Sequence, residues 1–226
     1  MENARKPPRT AVGLSLVLAP VFLLASSLIA PALESDEAAQ VDVIAQHPTR
    51  WYWYTITLLV GSILLVPALL GIAALVRERA PRLGDLGGGL AVLGALIAIG
   101  DVMSQLMTWQ MADKSADRVQ MAALLERFDT APGAGIVFTV GGLAFLVGTV
   151  LLGIGLIRGR LAPAWSAVGL ALAVVVNVAG FGAASNALVA VSWAILLVAM
   201  GSIGRTALAG GARLTPDAAA PVRTHA

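Results

Sequence analysis

The sequence predicts an all-α fold, a six-helix transmembrane bundle carrying two short amphipathic helices on its extracytoplasmic side. Three observations carry that prediction. The chain of 226 residues is 58% hydrophobic and only 12% charged, with a mean hydropathy of +0.85, where a soluble domain carries roughly 25% charged residues. Its apolar residues gather into six runs, most of them long enough to cross a ~30 Å hydrocarbon core as helices. The lysines and arginines fall mainly at alternate ends of those runs, as the positive-inside rule requires of a multi-pass chain.

Residues 1–10 are polar, with Arg5, Lys6 and Arg9, and are expected in the cytoplasm. The first run, 11–33, follows them. A basic start, an apolar run and Ala30-Pro31-Ala32 also describe a signal peptide, but the run exceeds the usual core of roughly 7–15 residues and is read as a retained helix kinked at Pro20. Residues 34–50 are acidic, with Ser35 as the expected N-cap of a short helix. At the edge of the second run, 52–76, stand Trp51, Tyr52, Trp53 and Tyr54, which with Trp109 read as an interfacial aromatic anchor.

The third run, 86–111, is followed by an amphipathic segment in which Val119, Ala122, Leu125 and Phe128 form a helical stripe opposite Asp117, Arg118, Glu126 and Asp129. The fourth, fifth and sixth runs are 134–157, 164–180 and 184–204, so the transmembrane domain is 11–205. Residues 206–226 are rich in Ala, Gly and Pro and are expected to be a disordered cytoplasmic tail.

Arg77, Arg79, Arg82, Arg158, Arg160 and Arg205 fall on the side of the N-terminal basic residues, whereas Arg50, Lys114, Arg118 and Arg127 fall on the other. Both termini are therefore expected in the cytoplasm, with the two longer connections outside. Residues 69–81, ending Arg77-Glu78-Arg79-Ala80-Pro81, are similar to 151–163, ending Arg158-Gly159-Arg160-Leu161-Ala162-Pro163. Three αα-hairpin repeats in one orientation is one parse. Apolar spans that end in arginine through topology alone is the other. Gly84, Gly88, Gly155 and Gly159 are read as small-residue contacts between helices.

The chemistry centres on Asp101, the only acid placed well inside an apolar run. With Gln105 and Thr108 it falls at i, i+4 and i+7, one polar stripe on a helix. A carboxylate in hydrocarbon costs a few kcal/mol or more, so it should face protein or water. Counted from Leu86 it lies roughly 22 Å along the helix, in the outer half of the membrane. Ser104 on the same helix, Thr57, Asn177 and Asn186 on others reach similar depth, and a single outward polar pocket closed by Arg127 or Arg50 is expected. Met103, Met107 and Met111 form a second stripe, read as packing.

Several classes are disfavoured. No Cys and only two His, one of them His225, leave no thiolate nucleophile and no metal-ligand set, so no metal site and no cofactor are expected. Asp101 lacks a His or Lys base, and Gly84–Gly89 lacks the lysine of a phosphate loop, so no enzyme is expected. A net charge of +2 does not suggest nucleic acid.

Three roles for Asp101 stay open: a hydrogen-bonding residue between helices, a site for a small cation, amphiphile or lipid headgroup, and the protonatable site of a small proton-coupled transporter. The overall reading is a non-enzymatic ligand- or lipid-binding membrane component, or an accessory subunit. Its expected partners are the bilayer, a small amphiphile or lipid, and a membrane protein or a second copy of itself.

Ala45-Gln46-His47-Pro48-Thr49-Arg50, Leu65-Val66-Pro67-Ala68-Leu69 and the stretch from Arg77 to Pro81 resemble a group of uncharacterised small multi-pass membrane proteins of high-GC actinobacteria, mainly over residues 11–110. The resemblance implies a bacterial plasma membrane and supplies neither an activity nor a site.

Overall fold

The computed structural model describes residues 9–113 and 115–212. Its helices are α1 (Arg9–Ile29), α2 (Glu37–Gln46), α3 (Pro48–Arg77), α4 (Pro81–Met111), α5 (Arg118–Asp129), α6 (Pro132–Arg158), α7 (Ala164–Gly182) and α8 (Asn186–Ala212). All but α2 and α5 contain apolar stretches long enough to span a bilayer, six spans among the described residues, which makes this a multi-pass membrane protein. Most of the expected N-terminal segment, Lys114 and the tail from 213 onward, His225 included, lie outside the described residues. Residues 206–212, expected in that tail, instead prolong α8.

Prolines explain where the helix starts depart from the apolar runs. Pro48, Pro81 and Pro132 occupy the first turns of α3, α4 and α6, where a missing N–H costs nothing and the fixed φ favours the helix. Hydropathy cannot see that signal, so these helices begin ahead of 52, 86 and 134. The N-cap of α2 is Asp36 rather than Ser35: its carboxylate accepts from the Ala39 N–H at 2.9 Å. Asp117 caps α5 in the same way, accepting from Val119 and Gln120.

The six spans close into a ring in chain order, α1 on α3, α3 on α4, α4 on α6, α6 on α7, α7 on α8, and α8 back on α1. Between lipid-immersed helices there is little hydrophobic drive, so close approach of small residues supplies much of the packing. A Cβ on Gly94 of α4 would come 2.6 Å from the Gly141 carbonyl oxygen of α6, and Gly148 lies against the backbone of Ala91. Gly84 and Gly88 admit α3 at Arg77 and Ala73, Gly155 admits Val76, and Gly159 sits under Leu161 and Arg79.

The packing of α6 is uneven along its length. Leu69, Ile72, Leu152, Leu156, Leu170, Met200 and Ile203, all fully buried, lie in the halves of their helices nearer the Arg77 and Arg158 turns. At the opposite end, α6 has no buried residue from Pro132 to Val140. There α2 and α5 pack on one another, joined by an ion pair of Arg118 with Asp42 at 3.3 Å. Only part of the expected α5 stripe is used: Leu125 packs against the core, while Val119 and Phe128 are exposed.

Candidate functional site

Asp101 lies on the helical face of α4 that carries Gly87 and Gly94, each a heptad apart and therefore nearly aligned. Those glycines pack tightly on α6. Where the stripe reaches Ala98 and Asp101, both are exposed, and α6 likewise has no buried residue from Pro132 to Val140. The carboxylate is thus open on one side. The neighbouring helix α3 contributes Tyr54, which is only 5% exposed.

The aromatic run positions this wall. On a helix, Trp51 and Tyr54 share a face and Trp53 takes the opposite one. Trp51 is buried, packs edge-on against Tyr54 at 5.2 Å, and donates its indole N–H to the Gln105 carbonyl at 3.2 Å, which ties α3 to α4. Trp51 and Tyr54 are therefore interior residues and not membrane anchors. Trp53 is exposed, and Tyr52 bridges Trp53 and the α4 residue Trp109 at ring-centre distances of 5.5 and 5.1 Å.

The expected polar stripe does not share one environment. Gln105 is half-buried, whereas Thr108 is buried and donates to the Ser104 carbonyl at 3.2 Å. Ser104 in turn donates to the Asp101 carbonyl at 2.6 Å. Hydroxyls committed to their own helix backbone in this way offer little to a ligand. Met103 and Met107 are exposed on the outer surface, so the methionine stripe faces away from the core.

The other candidates do not converge on Asp101. Asn177 of α7 donates to the Ser192 hydroxyl of α8 at 2.9 Å, a helix-to-helix link. Asn186, in the first turn of α8, donates to the Pro31 carbonyl at 2.7 Å and accepts from the Leu33 N–H at 3.1 Å, holding the chain that leaves α1. Arg127 turns back to the Ala123 carbonyl of its own helix, and Arg50 donates to the Ile29 carbonyl. Thr57 is half-buried. The single pocket expected from membrane depth is replaced by separate sets, because equal depth leaves the direction each side chain faces around the ring undetermined.

A feature the sequence reading missed lies behind Tyr54. Ser26, Ser27, Tyr54, Asn186 and Trp193 line a cavity between α1, α3, α7 and α8, of about 10 Å³, near the lower limit of roughly 10–15 Å³ for one water. The Trp193 indole N–H is buried without a hydrogen-bond partner among the described residues. Its only sequence signal was adjacent Ser26-Ser27 and a mid-span Trp193, each common by itself in apolar helices.

Among the described residues no three His, Asp or Glu side chains are grouped to hold a metal ion. Comparison with protein-family models, curated proteins and solved structures finds no match to this chain.

Proposed function

We propose that this protein is a non-enzymatic component of a bacterial plasma membrane, with both termini in the cytoplasm, that holds a small amphiphilic cation or a cationic lipid headgroup at Asp101. The observation that carries the reading is an exposed carboxylate within a spanning helix, on the face that farther along packs its glycines on α6. A charge at that depth costs a few kcal/mol unless it is compensated, and retaining it is a mark of use. A cation with an apolar tail suits an exposed carboxylate beside the lipid-facing surface of α4 and α6.

Native mass spectrometry of the protein gently extracted from its own membrane tests this, comparing wild type with Asp101→Asn. A cationic small molecule or lipid retained by the wild type and lost in the variant supports the reading. A stoichiometric protein partner that survives the substitution favours an accessory subunit instead.

Small proton-coupled transport is a second reading, favoured by one observation: Tyr54, on the helix packed against α4, lines a cavity together with Trp193, whose buried N–H has no partner among the described residues. In reconstituted vesicles, proton flux abolished by Asp101→Asn supports it, and equal flux in both proteins removes it.

A further inference from the structure

The face opposite α2 and α5 carries a different constellation. The turn from α3 to α4 and the turn from α6 to α7 wall an open cleft of about 760 Å³. Its charged lining consists of Arg79 and Arg82 from one turn and Arg158 and Arg160 from the other, with no carboxylate. The nearby Arg77 is already paired with Asp85. None of the four lining arginines has an ion pair among the described residues.

Local structure brings them together. Val76 of α3 packs where Gly155 of α6 leaves room, and a Cβ on Gly159 would come 3.1 Å from the Arg79 Cβ, so the two turns stand side by side. The end of α6 is closed by bonds from Leu161 N–H to the Leu156 carbonyl and from Arg160 N–H to the Ile157 carbonyl. That turn places Arg160 at φ 51, a left-handed position usually given to glycine. At the opposite wall, α4 begins at Pro81 with no side-chain cap. The positive end of its dipole opens onto the same space.

Four guanidinium groups gathered around one cleft repel each other unless an anion lies among them. A guanidinium offers a planar fork of donors that matches phosphate oxygens two at a time. We propose that this cleft binds a phosphate-bearing anion, carried by a lipid headgroup or free in solution. Its place at the ends of the apolar spans is the height at which headgroups sit. Its apolar rim of Pro81, Leu83 and Leu161 suits the first carbons of a lipid. Basic pockets at the cytoplasmic ends of spans hold anionic headgroups by this chemistry.

The full chain is incorporated into bilayer discs of phosphatidylcholine with phosphatidylglycerol, released in the mass spectrometer, and the retained lipid is counted. Wild type is expected to retain phosphatidylglycerol preferentially, and R79Q/R160Q to retain about tenfold less. R79K/R160K, with the charge kept and the fork lost, is expected between the two. R205Q removes a charge from the same face outside the cleft and is expected to match wild type.

In a second arm, inorganic phosphate and pyrophosphate are titrated calorimetrically into the protein in neutral detergent. Saturable binding that is lost in R79Q/R160Q, without a lipid preference, assigns the cleft to a soluble anion and supports the proposal equally. Neither lipid preference nor saturable phosphate binding in the wild type overturns it, as does a loss in R205Q as large as in R79Q/R160Q. Should R79Q/R160Q fail to give a folded protein by its tryptophan fluorescence, R82Q/R158Q replaces it with the same expected outcomes.

Discussion

Asn186 holds the Pro31 carbonyl from α8, at 2.7 Å, and with its own carbonyl receives the Leu33 N–H. One side chain at the start of the last span thus fixes the chain that leaves the first. Replacing Asn186 with Ala removes both bonds and leaves a half-buried backbone N–H and carbonyl without partners, a loss of about 1–3 kcal/mol. The expected outcome is a lower midpoint for unfolding in mixed micelles. An unchanged midpoint means that water takes over both bonds.

The bond from Asn177 to Ser192 offers a smaller test. Interhelical hydrogen bonds in membranes average about 0.6 kcal/mol by double-mutant cycles. Asn177→Ala, Ser192→Ala and the double variant are expected to give a coupling of that order. A coupling above about 2 kcal/mol would exceed what such a bond supplies in known membrane proteins and would assign Asn177 a larger role than a helix link.

Gly148 and Gly89 make a matched pair in the spans. A Cβ on Gly148 would lie 2.7 Å from the Ala91 Cα, whereas a Cβ on Gly89 meets nothing within 4 Å. Gly148→Ala is expected to cost about 1–3 kcal/mol by forcing α4 from α6. Gly89→Ala is expected to cost nothing. Thermal unfolding of the two variants in the same detergent decides it.

Arg160 at φ 51 separates stability from binding. A left-handed residue other than glycine carries a conformational penalty of about 1–2 kcal/mol, part of which Arg160→Gly gives back to the unfolded chain as added freedom. That variant is expected to be as stable as wild type or more so, while retaining less phosphatidylglycerol. Falling stability and unchanged lipid retention would instead make Arg160 a packing residue of its turn.

The spans themselves were legible because hydropathy is a one-dimensional property and the sequence is one-dimensional. Helix starts were less so, since Pro48, Pro81 and Pro132 act through missing hydrogen bonds and fixed φ, not through polarity. Asp101 stands out in the sequence as an acid within an apolar run, and it lies on an exposed side of α4. The sequence gives its companions a common depth and no common direction. Asn177 and Asn186 do reach the outer half of the bundle, yet both face α8 and α1 contacts across the ring from α4.

Azimuth follows from ring order, which no single span encodes. The same limit applies to the arginine cleft: in sequence Arg79 and Arg160 are topology markers in two distant turns, and only the side-by-side ends of α3 and α6 bring them together.

The closed ring has a consequence for biosynthesis. Because α8 packs on α1, with Gly204 over Leu16, the first span emerges with a flank that only the last can cover. Until α8 is inserted that flank, with Ser26 and Ser27 beside it, has no helix of the ring against it. The ring of spans can therefore close only once α8 has been made.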